Sequence, residues 1–368
     1  MKIVVFIEDF GATGVARNTI AIARYLSAEG HDVTIVATRD HGVLRDNIPA
    51  GVEVHALNPG VSAGSRGRLM RRSLLSFRGF LKRLKPDVVF SAGNHGHLLT
   101  IAATRLLPCK VIVRISNDLD HQRGARADIA GAWRRLKFRT ILSRADRIVL
   151  VSSRLAEQVR AIDADFARKT AVIPNGVDVA AVRAGAQTPV EPSGDDRPLV
   201  LAVGRLVEQK NFGTLLEAAA IARKSVNFRL LLIGSGPLKD DLLSRVEALG
   251  LGESVRIVDP VPNPFPLFKQ AAVMVLPSWW EGSSNVLLEA LACETPIVAS
   301  RTAGSAEEVL DGGRYGLLVD PGEADALADA IVRQLGPDGV SPAGRAADYD
   351  RTRSLRAYAA LMAGMESR

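Results

Sequence analysis

The chain has 368 residues, 47% hydrophobic and 24% charged, which excludes global disorder and is too long for one core, fitting about two domains of roughly 150 residues. Two cysteines, Cys109 and Cys293, exclude a disulfide scaffold or a cysteine-rich metal site and suit a reducing compartment. The net charge of +7 averages a first part, to Gly185, with 29 basic and 16 acidic residues, and a remainder with 18 and 24; one face therefore meets something anionic, and nucleic acid, an anionic membrane or a phosphate-bearing substrate would each satisfy that.

In chain order, Met1 to Ile7 runs straight into Glu8-Asp9, as a first strand does and a signal peptide does not. Nowhere does an apolar run reach the ~18 residues of a spanning helix, so a cytosolic protein is expected. Strands are read at Val4–Ile7, Val33–Val36, Val52–Val54, Val88–Phe90, Val111–Val113 and Ile148–Val151, with helical spacing between most of them, as in Val15–Ala28 and Ala125–Leu142. After Pro174-Asn175-Gly176-Val177-Asp178 the pattern breaks, and a stretch rich in proline and glycine serves as a linker over residues 183–197. Alternation then resumes with strands at Leu199–Val203, Leu230–Ile233, Val255–Val258, Val273–Leu276, Ile297–Ala299 and Gly316–Val319. Apolar strands alternating with helices predict an α/β protein of two doubly wound, Rossmann-like domains, residues 1–182 and 198–345, facing a deep cleft. Residues 346–368 hold a last helix able to pack on either domain.

Four segments carry chemistry. Gly11-Ala12-Thr13-Gly14 turns from the first strand into a helix, where glycine permits close backbone approach and the helix start attracts an anion. It lacks the full dinucleotide pattern, and a turn needing glycine for geometry alone fits it too. Gly204-Arg205-Leu206-Val207-Glu208-Gln209-Lys210 places two cations at a strand end, either to grip a diphosphate or, for Arg205, to pair with Glu208. Ile233-Gly234-Ser235-Gly236-Pro237 is a second glycine turn. The strongest signal is Glu281-Gly282-Ser283-Ser284-Asn285-Val286-Leu287-Leu288-Glu289: small residues before a helix offer free N–H groups to phosphate, and two carboxylates either accept from sugar hydroxyls or cap the helix.

In this order, together with Ile173-Pro174-Asn175-Gly176-Val177-Asp178, these motifs resemble the retaining glycosyltransferases of the GT-B fold, family 4, over nearly the whole chain. The Glu281–Leu291 run is most similar to bacterial enzymes of exopolysaccharide, O-antigen or lipid-linked oligosaccharide assembly. The resemblance implies that Arg205 and Lys210 neutralise a donor diphosphate, Glu281 lies near the transferred sugar and Glu289 binds the ribose. Ser283, Ser284 and Asn285 then serve phosphates or sugar, and Gly14, Gly204, Gly234, Gly282 and Val286 complete the donor-binding set. No metal or other cofactor is expected, because the cations and helix ends stabilise the leaving diphosphate. The first domain would hold the acceptor, with Asn94, His95, Asn117 and Asp118 as contacts; His121 is displaced from the position where many relatives carry a His-Asp pair. Two departures stand out: Glu294 and Ala303-Gly304-Ser305 replace a glycine and a Pro-Gly-Gly found in many relatives.

Residues 61–85 hold eight basic side chains and no acid, interleaved with Leu69, Leu74, Phe77 and Phe80, and residues 133–139 repeat the mixture. Such helices suit an anionic membrane surface, or form a solvated face over an ordinary core stripe; nucleic acid is not expected, since no recognition motif accompanies the charge. The expectation is a glycosyltransferase on the cytoplasmic face of the plasma membrane, passing sugar from a UDP-linked donor to a lipid-linked or polysaccharide acceptor. A nucleotide-sugar epimerase or a non-catalytic partner subunit are the alternatives.

Overall fold

The strand pattern is realised in the structure, a computed structural model that describes residues 1–11, 13–58, 66–119, 129–189 and 194–365. Thirteen strands among these residues form two wholly parallel sheets. In the first unit the strands are β1 (Lys2–Ile7), β2 (Asp32–Ala37), β3 (Glu53–Ala56), β4 (Val88–Ser91), β5 (Lys110–Ile115), β6 (Arg147–Leu150) and β7 (Thr170–Val172), in the order β3-β2-β1-β4-β5-β6-β7. The second unit orders β8 (Leu199–Val203), β9 (Arg229–Ile233), β10 (Val255–Val258), β11 (Val273–Leu276), β12 (Ile297–Ser300) and β13 (Leu317–Val319) as β10-β9-β8-β11-β12-β13. Both orders reverse direction at the first strand of their unit, which is the switch point where doubly wound folds bind ligands. Val273 to Leu276 is buried at every position, as a strand covered on both faces requires.

The compact units are residues Met1–Pro174 with Arg353–Arg368, and Asn175–Thr352. The sequence reading sets the first boundary after residue 182, whereas Val177 and Val182 are buried in the core of the second unit with Leu287 and Leu291, so the short helix Val179–Gly185 belongs there. Part of the expected linker, residues 190–193, lies outside the described residues. The helix Arg351–Ala363 buries Tyr358 and Met362 in the core of the first unit. There Arg114, 2% exposed, donates from Nε to the Tyr358 hydroxyl at 3.0 Å and from Nη1 to the Ala92 carbonyl at 3.3 Å, which satisfies a cation the core would otherwise exclude. Strand β7 escapes the sequence reading because three residues carry too little pattern.

At the rim of the second sheet the loop leaving β8 is stitched to the loop leaving β9. Gly204 N–H donates to Ile233 O at 3.0 Å and Leu206 N–H to Ser235 O at 2.9 Å. This approach needs glycine at 234, where a Cβ would stand 1.9 Å from the Gly204 carbonyl oxygen. Beside β11, the helix Asn285–Ala292 ends at Cys293, and Glu294 follows with φ 58°. That left-handed conformation costs a non-glycine residue roughly 1–2 kcal/mol. In return Glu294 receives Arg183 Nη2 at 2.7 Å, but both side chains are about half exposed and such a pair contributes roughly 0–1 kcal/mol. Glu294→Gly is therefore expected to raise stability by about 0.5–1 kcal/mol, read as a higher urea midpoint at unchanged slope.

Candidate functional site

The second unit gathers its polar chemistry at the ends of β8 and β11. After β8, a 3-10 turn Glu208–Lys210 closes on Asn211, which adopts φ 53° and is locked by Thr214 Oγ–H donating to its Oδ1 at 2.9 Å. Three consecutive residues of this turn reach the segment leaving β11. The Gln209 carbonyl accepts from Trp279 N–H at 2.9 Å and its side-chain amide donates to Trp280 O at 2.8 Å. Asn211 Nδ2 donates to Pro277 O at 3.2 Å. Between them Lys210 Nζ meets Glu281 Oε1 at 2.7 Å, with the two side chains only 11% and 9% exposed. Ser278 Oγ–H donates to the same oxygen at 2.7 Å. An ammonium and a carboxylate this far from water persist because each is hydrogen-bonded to the other and to neighbours. Arg205 is exposed, with no hydrogen bond or ion pair among the described residues, and the pair with Glu208 does not form.

Next to this pair the helix Asn285–Ala292 presents its first turn. Ser284 occupies the cap position yet makes no capping bond, and its hydroxyl is buried without a partner. A helix start already leaves its first N–H groups unpaired. An orphan buried hydroxyl beside them, with Gly282 buried and Ser283 and Val286 half-buried, is a donor-rich pocket suited to oxyanions. Asn285 Oδ1 accepts from Asn175 Nδ2 at 2.9 Å. Gly304 has φ +70°, and a Cβ at this position would stand only 3.2 Å from both Glu281 Cβ and Ser283 N, so the Ala303-Gly304-Ser305 turn walls this loop closely. Glu289 is the fifth residue of the helix and half-buried, and its charge adds to burial in pushing the Cys293 thiol up to about 11. Arg205, Lys210, Glu281, the 282–286 turn and Glu289 are thus all carried by this unit. Gln209, Asn211, Ser278 and Asn175 escape the sequence reading as site residues; the only signal is a polar residue set directly after an apolar strand or beside a candidate cation.

The first unit holds the remaining candidates at the ends of β1, β4 and β5. Gly14 opens the helix Gly14–Ala28, whose cap Thr13 accepts from Ala16 N–H at 3.2 Å. Asn94 Oδ1 accepts from Ser116 N–H at 3.2 Å, tying the β4 loop to the β5 loop, while His95 is exposed. Asn117 Oδ1 accepts from Asp118 N–H at 3.1 Å. Asp118 is 3% exposed and engaged by Gln158 Nε2 at 3.0 Å and Arg154 Nε at 3.5 Å, so its carboxylate anchors the loop. His121 lies outside the described residues. Among the described residues no group of three His, Cys, Asp or Glu side chains is placed to hold a metal.

Comparison with known proteins follows this division. The family described as Glycosyltransferase Family 4 matches residues 12–181, and Glycosyl transferases group 1 matches residues 197–336. The chain carries the two domains of a GT-B glycosyltransferase. It is 36% identical over 190 residues to the lipopolysaccharide core biosynthesis glycosyltransferase LpsE of Rhizobium meliloti, covering 50% of this chain and 53% of that one. It is 29% identical over 171 residues, 46% of each chain, to the N-acetylgalactosamine-N,N'-diacetylbacillosaminyl-diphospho-undecaprenol 4-alpha-N-acetylgalactosaminyltransferase of Campylobacter jejuni. The matched stretch thus spans about half the length of these curated relatives. The fold extends much further: HepE of Anabaena, solved with UDP and glucose, superposes with a TM-score of 0.78 at 19% identity over 99% of both chains.

Within this GT-B scaffold one buried group responds to pH. His97, 1% exposed, has Nδ1 2.8 Å from Ser91 Oγ, and burial with the nearby Arg114 charge pushes its pKa from 6.5 down to about 3. Between those values the unfolded chain binds a proton that the folded chain refuses, so stability falls as pH drops below about 6.5, by up to about 1.4 kcal/mol per unit. Urea unfolding of His97→Gln at pH 7.5 and pH 5 is expected to show a shallower loss than wild type. An unchanged loss would place the titration on other groups.

Proposed function

We propose that the protein is a retaining glycosyltransferase that moves a sugar from a UDP-linked donor to a lipid-linked or polysaccharide acceptor in cell-surface glycan assembly. The observation that carries this reading is the sequestered Lys210–Glu281 pair beside an uncapped helix start with an orphan Ser284 hydroxyl. Arg205, Lys210 and the N–H groups at Ser284–Val286 take the donor diphosphate and stabilise the charge that grows on it as the sugar leaves. Glu281 accepts from hydroxyls of the transferred sugar, and Glu289 accepts from the ribose. The bond from the anomeric carbon to the phosphate oxygen breaks as the acceptor oxygen bonds to that carbon on the same face. The departing phosphate oxygen takes the acceptor proton. No side chain is assigned as nucleophile, and no metal is required. Asn94, His95, Asn117 and Asp118 are assigned to the acceptor side, Asp118 through the loop it anchors.

Support for the acceptor class comes from the relatives, whose names specify lipopolysaccharide core and a diphospho-undecaprenol-linked glycan. HepE, bound to UDP, supports the nucleotide. A membrane-peripheral position on the cytoplasmic side is supported by exposed Leu75, Trp133 and Leu136 among exposed Arg72, Lys82, Lys137 and Arg139. Residues 61–65 of the basic segment lie outside the described residues, and no described helix is long and apolar enough to cross a membrane.

A panel of nucleotide-sugars with membrane extract as acceptor, read by mass spectrometry, tests the reaction: transfer from a UDP-sugar is expected. Lys210→Ala and Glu281→Ala should each lower transfer by about 100-fold or more, and intact transfer in both would overturn the site. Flotation with phosphatidylglycerol vesicles tests the surface. Binding is expected at low salt, lost at high salt, and weakened by Leu75→Asp or Trp133→Asp.

A further inference from the structure

Glu281 is held by only one of its two carboxylate oxygens. Oε1 receives Lys210 Nζ at 2.7 Å and Ser278 Oγ–H at 2.7 Å, whereas Oε2 has no hydrogen bond among the described residues. Ser278 is completely buried at the exit of β11, so its hydroxyl is aimed by protein alone. The two donors differ in what they can do. Lys210 ends a flexible stem, and a diphosphate arriving at the site competes with Glu281 for its ammonium. The serine hydroxyl sits on a single rotatable bond three residues from Glu281, on a segment whose backbone is clamped by Gln209 and Asn211.

We infer that Ser278 is a positioning residue: it holds Glu281 by Oε1 so that Oε2 faces the donor sugar, and it keeps that orientation after the diphosphate draws Lys210 away. This rests on the reading of Glu281 as the group that accepts from the sugar. A serine that merely filled the loop would affect nucleotide and sugar alike, or neither. One that acts through Glu281 affects only ligands that carry a sugar, and only while the Glu281 carboxylate is present.

Titration calorimetry separates these. Wild type is titrated with free UDP and with UDP-glucose, UDP-galactose and UDP-N-acetylglucosamine; Ser278→Ala, Glu281→Gln and the double variant are then titrated with UDP and the tightest of the three. Free UDP is expected to bind all four proteins within about twofold, since it lacks the sugar. The UDP-sugar should lose about tenfold in each single variant, the size expected for a hydrogen bond to a charged group, and lose no more in the double variant than in Glu281→Gln. Ser278→Cys keeps the volume with only a weak donor and should follow Ser278→Ala, which covers a loss of folding in the alanine variant. Three results would overturn the assignment: unchanged UDP-sugar affinity in Ser278→Ala, an equal loss for UDP and UDP-sugar, or a further loss on top of Glu281→Gln. Glu281→Gln binding the UDP-sugar as wild type does, or no UDP-sugar binding better than UDP, would instead overturn the donor reading on which it stands.

Discussion

Moving an ammonium and a carboxylate out of water costs several kcal/mol per ion, which their mutual attraction offsets only when geometry and further hydrogen bonds are good. Lys210 and Glu281 meet that requirement at the rim of the second sheet, and much of the surrounding structure follows from it. Lys210 comes from the end of β8 and Glu281 from beyond β11, neighbouring strands, so the pair forms only if both exits are fixed. Gln209 and Asn211 fix one against the other, and Ser278 supplies the extra donor. The left-handed turn at Asn211 and the close approach at Gly234 are local strains accepted so that these loops lie where the charges need them.

The charge imbalance between the two parts of the sequence acquires physical meaning from this arrangement. In the acidic part the cations are few and individually placed: Lys210 is sequestered and Arg205 stands exposed at the same strand end. Repeating such cations would add no stability and would attract anions indiscriminately. The basic part works the other way. Its surplus is spread over the exposed sides of helices, where each charge is solvated and costs little, and where Arg78 turns inward to bond the carbonyls of Ala103 and Arg105 instead. Among the described residues of that part, Arg114 is the basic side chain that is fully buried and donates to a core hydroxyl.

Most of the sheet architecture was legible because period and composition survive in short windows. Continuous runs such as Leu199–Val203 can only be strands covered on both sides, and glycine turns after them mark the binding edge. The donor-side residues were legible for a similar reason: glycine, paired cations and carboxylates must stand close together in sequence when a single strand-to-helix turn carries them. What escaped depends on contacts between distant segments. Ser278 reads as an unremarkable residue after an apolar strand, and nothing local says that its hydroxyl meets a carboxylate three positions on. The boundary at Pro174 was hidden because Val177 and Val182 look like any apolar residues until the core they enter is known. Asp118 illustrates the opposite error, since a carboxylate after a strand resembles a substrate ligand yet is occupied by Gln158 and Arg154.

The helix Arg351–Ala363 completes a core whose other members end at Ile173. Tyr358 and Met362 are synthesised after the entire second unit, so the ribosome delivers the first unit with the bond partner of Arg114 still missing. The earlier segment must wait, with a buried cation unsatisfied, while the later one emerges and folds on its own contiguous stretch of chain. Assembly order is thereby inverted: of the two units, the one synthesised first is the one that finishes last.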